Sequence, residues 1–390
     1  AKQYRTLALD YASFLQQVAN APLAFTAAAQ HNPAEVELPL PDGTVEPFEV
    51  VESRIMAPEL AEKYPHIKAY TAISKIHPFV SARFEVTNKG LTVGIRTPEG
   101  RFYIEPYASG QVRHYAFYSK KDVAPDAFTD ASCGFNDQMH EEHFGEEPRN
   151  SNPEALSFRS FSGASLPLRT YRLAAACTGE FAQNQGGTMD DVLGAYATII
   201  NRLNEVLQTE GSVSMELVPN NDQLIHLNPG TDPFQNANEG LVLLGQIAGY
   251  LNGAIGLNSY DIGHIFTGGC TDVGGVAGGG VCTLNKGRAV TCFSSSNLVF
   301  TAQGTLAHEV GHQFSVGHSW SNCPGNMDQL SSANAYEPGS GTTIMSYAGA
   351  CGNQNIVTNN DDYYNIGSLE DFIGFSRVGT GSSCGTETIT

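Results

Sequence analysis

The chain has 390 residues, enough for two ordinary domains. Its formal net charge is −19, from 21 Lys and Arg against 40 Asp and Glu. That acidic balance argues against nucleic acid and anionic membranes as partners, and no apolar run approaches the roughly 18 residues that crossing a bilayer requires.

The segment "LALDYASFLQQVANAPLAF" is apolar but interrupted by polar residues every turn, so the pattern predicts an amphipathic helix and not a signal peptide. On this reading, the signal of an exported protein has already been removed from the chain. "APELAEKY" predicts a short helix with proline in its first turn. "SARFEVT", "LTVGIRT", "RFYIEPY" and "VRHYAFYSKKD" alternate apolar and polar residues across "NKG" and "PEG" turns, which predicts a hairpin or meander. From Asp130 to Pro167 the periodicity fades into charge, Ser, Pro and Gly, as in a linker. The expected division is a β-rich domain over residues 1–165 and a second domain over 166–390.

The second part opens with the apolar strand "TYRLAAACTGE" and the helix "TMDDVLGAYATIINRLNEVLQTEG". A strand "VSMELV" and a helix "NEGLVLLGQIAGYLNGAIG" follow. "DIGHIFTGG", "GGVAGGGVCT" and "GRAVTCFSS" read as strands whose glycines mark bulges or an edge that another backbone approaches closely. The same glycines fit no phosphate-loop pattern. "IGSLEDFIGFSRV" predicts a last amphipathic helix. The fold class is therefore α+β. Seven of the eight cysteines lie beyond residue 166 with no C-x-x-C pair, a pattern of disulfides in an exported protein. Seven is odd, so one of them pairs outside this part or stays a thiol.

The stretch "LAHEVGHQFSVGHSW" carries the chemistry. On a helix, His308 and His312 differ by about 40° and rise about 6 Å, so both imidazoles reach one metal ion. Glu309 lies about 100° round, placed to hydrogen-bond a water on that ion. "HEEH" at His140–His143 lacks one residue of this spacing and reads as solvated charge. His318 is about 15 Å beyond His308 along a continuous helix, so the helix must stop after His312 for the three to meet. Three histidines leave a fourth zinc position open, as in catalytic sites.

H-E-x-x-H-x-x-G-x-x-H with a Met-turn is the metzincin signature. This sequence resembles that clan, and "HEVGHQF" with "EPGSGTTIMSYAG" is most similar to its reprolysin-like (adamalysin-like) bacterial members, over residues 168–390. The first half resembles the prodomain of the same secreted enzymes. The resemblance implies a metzincin-type catalytic domain behind a β-rich prodomain. It implies a zinc endopeptidase made as a zymogen, with Zn²⁺ on His308, His312 and His318, and Glu309 as general base. Met345 matches the methionine beneath the histidines. Tyr347 matches a tyrosine that in astacins and serralysins binds zinc or hydrogen-bonds the transition state, against the alternative of a packed turn residue. Cys133-Gly134 resembles the cysteine switch of such prodomains, although the preceding proline-rich part is missing; the alternative is a disulfide to one of the other seven cysteines. The clan's turn glycine is Ser315 here, with Gly317 nearby to share the turn.

Ca²⁺ is a second candidate ion, at Asp232, Asn236 and Glu239 and at Asp361 and Asp362, against ordinary polar turns. The partners expected are protein or peptide substrates and the chain's own prodomain, with no nucleic acid, no membrane span and a monomeric state. The rival reading is a catalytically inactive zinc-binding or adhesive homologue, against which the intact Glu309 argues.

Overall fold

The computed structural model describes residues 1–123, 133–136, 139, 166–293 and 298–388. "HEEH" and most of the expected linker lie outside the described residues. The chain divides into two compact units, Ala1–Ala127 with Asp190–Arg202, and Phe128–Met189 with Leu203–Thr390.

The first unit is built on one sheet of eight antiparallel strands. They are β1 (Arg5–Ala8), β2 (Ala34–Pro39), β3 (Val45–Ser53), β4 (Lys68–Ser74), β5 (Ser81–Thr87), β6 (Gly90–Thr97), β7 (Gly100–Pro106) and β8 (His114–Ser119). From β2 to β8 each strand pairs with the next, and β1 closes on β8. The expected meander is thus β5 to β8, continued by β2 to β4. The N-terminal stretch read as one helix is divided: β1 runs to Ala8, Asp10 accepts a bond from Ser13 N as N-cap, and the helix spans Tyr11–Val18. A carboxylate that caps a first turn stops the helix from starting earlier. Phe14 of this helix packs edge-on against Phe84 of β5, ring centroids 5.6 Å apart, in a core with Phe48, Val50, Tyr70, Val93 and Ile95.

The second unit holds a six-stranded mixed sheet. Its strands are β9 (Leu168–Cys177), β10 (Val213–Leu217), β11 (Ile262–Thr267), β12 (Gly275–Ala277), β13 (Ala289–Cys292) and β14 (Thr386–Thr388). The order is β10-β9-β11-β13-β12, with β14 also on β9. β10, β9, β11 and β13 run parallel, and β12 is an antiparallel edge. The parallel strands are buried along both faces, which is why they read as continuous apolar runs. The helices Met189–Gly211 and Gly240–Ala254 lie where the periodicity places them, and Ile366–Arg377 is the last helix. Among the described residues no helix is long and apolar enough to cross a membrane.

Three disulfides join Cys270 to Cys292, Cys282 to Cys384 and Cys323 to Cys351. Cys133 and Cys177 are buried thiols outside them. The odd cysteine of the C-terminal set is therefore Cys177, and Cys133 makes no disulfide.

Candidate metal centre

A helical run from Leu298 carries the motif. A π-turn over Ala302–Leu306 leads into the α-helix Ala307–Gln313; such turns reorient side chains and recur at functional sites. Two side chains fix the helix to its surroundings. Tyr364 Oη donates to Ala307 O at 2.6 Å. Gln313 Nε2 donates to Gly263 O at 3.1 Å, and Gln313 Oε1 lies 3.3 Å from His264 Nδ1. A Cβ on Gly311 would stand 2.6 Å from the Met345 sulfur, so glycine lets Met345 lie against the helix between the two histidines.

The helix ends on a hydrogen-bonded left-handed turn. Ser315 N donates to His312 O at 2.9 Å and Val316 N to Gly311 O at 3.0 Å, the pair of bonds that closes a Schellman motif. Ser315 has φ 65° and takes the left-handed position by itself. The expected sharing with Gly317 is corrected: Gly317 has no positive φ, and its role is a close approach, because a Cβ there would meet Asn334 Oδ1 at 2.6 Å.

Beyond this turn the chain brings His318 back to His308 and His312. The Nε2 atoms of His308 and His312 are 3.0 Å apart, and those of His312 and His318 are 3.2 Å apart. Each ring is held from behind by a backbone carbonyl, which can only accept. His308 Nδ1 donates to Ile344 O at 2.7 Å, His312 Nδ1 to Val316 O at 2.7 Å and His318 Nδ1 to Gln329 O at 2.8 Å. With the Nδ1 protons committed, a neutral ring has its lone pair on Nε2. Burial holds His308 down to about 4 and His318 well below its ordinary value, favouring neutral rings. Three lone pairs thus converge in a dry site, an arrangement that repels itself and that a cation relieves. Tetrahedral zinc with bonds of about 2.0–2.1 Å would set such nitrogens roughly 3.3 Å apart, so the donor set fits zinc.

Cys133 completes the cluster. Its Sγ and the three imidazoles offer ligand atoms that all lie within 4.8 Å of one another. No other group of three or more His, Cys, Asp or Glu placed to hold a metal occurs among the described residues. Asp232, Asn236, Glu239, Asp361 and Asp362 are not gathered into one, and both oxygens of Asp232 accept backbone N–H groups, from Gly179 and Phe234. Cys133 reaches the centre from the sheet edge: it forms a parallel bridge with Gly275 of β12, and Gly134 N donates to Gly275 O at 3.0 Å. The Cys133 thiol donates to Glu309 Oε2 at 3.5 Å. Burial, then the Glu309 charge, raises that thiol well above its ordinary value. Glu309 is fully buried, its carboxyl is pushed up to about 8 by burial, and its Oε1 has no hydrogen-bond partner. Tyr347 Oη lies 3.0 Å from Cys133 O and 2.7 Å from Gln329 Oε1.

Two neighbours had no signal in the sequence. Phe135 stacks on His312 at 3.9 Å with 18° between the planes. Gln329 serves His318 with its carbonyl and Tyr347 with its side chain. A third, Glu337, was legible within "EPGSGTTIMSYAG" but not as a device. It accepts from Thr342 N, Thr343 N, Thr343 Oγ1, Ser319 Oγ and Asn365 Nδ2, binding the turn before Met345 to the residue after His318. Burial alone would raise its carboxyl; those donors outweigh it and hold it below the usual value.

A family model described as metallo-peptidase family M12B, reprolysin-like, matches residues 168–372. Among solved structures the chain is similar to metalloproteinase-II from Bacteroides fragilis, with 10% identity over 94% of this chain and 96% of that one and a TM-score of 0.47. A chaperone–substrate complex matches at 10% identity over 55% of this chain and 35% of that one, with a TM-score of 0.30. No curated protein matches the sequence.

Proposed function

Because the chain belongs to metallo-peptidase family M12B, reprolysin-like, and is a zinc metalloprotease of that family, we propose that it is a secreted endopeptidase made as a latent zymogen whose latency Cys133 maintains. One observation carries the latency: Cys133 meets three components of the site at once. Its sulfur shares the ligand cluster of His308, His312 and His318, its thiol is bonded to Glu309, and its carbonyl accepts from Tyr347. The three disulfides support the export reading.

Zinc on the three histidines would supply Lewis acidity, lowering the pKa of a water and polarising the scissile carbonyl. The chain's own residues do the remainder. The carbonyls of Ile344, Val316 and Gln329 keep each Nε2 lone pair aimed inward. Glu309 takes the water's proton on the oxygen that has no partner and delivers it to the leaving amine. Tyr347, once Cys133 has left, is the hydroxyl placed to donate to the developing oxyanion. The edge strand β12 pairs with an extended substrate by β-augmentation, as it pairs with Cys133 and Gly134.

Glu309→Gln tests the reading. The variant should retain its zinc by metal analysis, while hydrolysis of casein or a peptide by the processed form falls by about two to four orders of magnitude. Appreciable activity in that variant would overturn the mechanism. Casein zymography with and without a chelator separates the protease from an inactive zinc-binding homologue.

A further inference from the structure

The hydroxyl of Tyr347 has one proton, and two oxygens face it. Its Oη lies 2.7 Å from Gln329 Oε1 and 3.0 Å from Cys133 O. One proton cannot be donated to both. A backbone carbonyl only accepts, whereas a glutamine amide accepts with one end and donates with the other. The Tyr347 ring is buried and held in place, edge-to-face with His318 at 4.7 Å and against Trp320 at 5.1 Å. Gln329 is held by its own backbone. Its N–H donates to Asn326 O at 2.9 Å in the short turn Met327–Gln329, and its carbonyl accepts from His318 Nδ1 at 2.8 Å. The side chain therefore starts from a point fixed by His318 and ends on the phenol oxygen.

We propose that Gln329 is a positioning residue for Tyr347, donating to the phenol oxygen so that the single phenol proton points at Cys133 O in the latent chain. In the processed enzyme the same proton points at the substrate carbonyl oxygen that takes that place. This rests on the proteolytic reading above, and deepens it. A half-turn of the amide about its last bond brings Nε2 to Tyr347 Oη. Nε2 then donates to the phenol, the phenol donates to Cys133 O, and no two acceptors are left facing each other. The other orientation commits the proton to Gln329 and leaves Cys133 O unpaired against a buried phenol oxygen, the costlier state. With the direction of the O–H fixed beforehand, the donor need not reorient as charge develops. Residue type matters here. A glutamate of the same shape only accepts, so it would draw the phenol proton to itself; a methionine of similar length does neither and leaves the hydroxyl free to turn.

The test reads kcat and KM separately on the processed, zinc-loaded enzyme with a peptide substrate. Gln329→Glu should lower kcat about ten-fold or more with KM within about two-fold, the pattern of an interaction made only in the transition state. Gln329→Met should lower kcat by less. In a Tyr347→Phe background neither substitution should change kcat by more than about two-fold, because residues that act as a unit are not additive. A native kcat in Gln329→Glu overturns the proposal. So does the same loss with and without the Tyr347 hydroxyl, which would assign Gln329 to loop structure alone. Loss of zinc from the Glu and Met variants alike also overturns it, because the side chain would then serve the ion site and not Tyr347. A second measurement is independent of cleavage. In the full-length latent chain, alkylation of Cys133 by iodoacetamide is followed by mass mapping. It should be about three-fold faster or more in Gln329→Glu and in Tyr347→Phe, and no faster in the double variant than in the faster single one. An unchanged rate in Gln329→Glu overturns the directed donation. Failure of the native processed chain to hydrolyse peptides would sink the proteolytic reading without touching this second result.

Discussion

Cys133 and Cys177 are both buried and both outside the three disulfides, yet they occupy opposite kinds of surroundings. Cys177 ends β9 inside the sheet, opposite Phe266 and bridged to Ile225, in a neighbourhood that packs. Cys133 is bridged to the edge strand β12 and faces three imidazoles and a carboxyl. Equal burial therefore says little about what a thiol does; the atoms it faces decide between packing and reactivity.

The largest expected effect breaks the two thiols apart. In full-length protein, Cys133→Ser should raise peptide hydrolysis at least ten-fold, while Cys177→Ala should leave it within two-fold. The same response from both variants would remove Cys133 from its assigned role.

A second test contrasts the helix that carries His308 and His312 with the sheet it packs on. His264 is fully buried, with Nε2 2.8 Å from Thr291 Oγ1, and burial holds it down to about 4. A depressed histidine contributes stability that is complete above its unfolded value near 6.5 and is lost as pH falls toward 4. That loss amounts to at most about 3 kcal/mol. Denaturant unfolding should show stability falling between pH 6.5 and 4, with a shallower fall in His264→Gln. An unchanged slope in the variant would show that His264 does not carry this dependence.

Next is Glu337→Ala, which strands the donors of Thr342, Thr343 and Ser319 and should cost about 1–3 kcal/mol. A cost under about 0.5 kcal/mol would mean that water replaces the carboxylate. The smallest effect is Ser315→Gly. Serine at φ 65° carries about 1–2 kcal/mol of strain, partly offset by the entropy glycine adds to the unfolded chain. The variant should be more stable by up to about 1 kcal/mol, and a loss of stability would show that the serine side chain outweighs the strain.

The centre was legible where geometry follows from spacing alone. Ten residues from His308 to His318 force a helix break, and the break is there. Met345, in its Gly/Ser-rich turn, packs against Gly311 between the two histidines of the helix. Strands β5 to β8 alternate cleanly and are legible, whereas β1 is four residues long and stands just before the helix that Asp10 caps, so no pattern separates the two. Other features depend on partners far apart in sequence, and no local pattern encodes them. Ile344 O serves His308 and Gln329 O serves His318 only after the loops have folded. Phe135 sits in a stretch that lacks periodicity, so nothing local marks it as the ring that covers His312.

The three carbonyls behind the imidazoles belong to three separate loops: the turn after the helix at Val316, the short turn ending at Gln329 and the methionine turn at Ile344. An ion held by the three rings would thereby be tied to all three. Affinity for such an ion and order in the loops would be a single free energy, read from either end. A chelator would then act locally as a denaturant, and loosening any one loop would make the ion easier to lose.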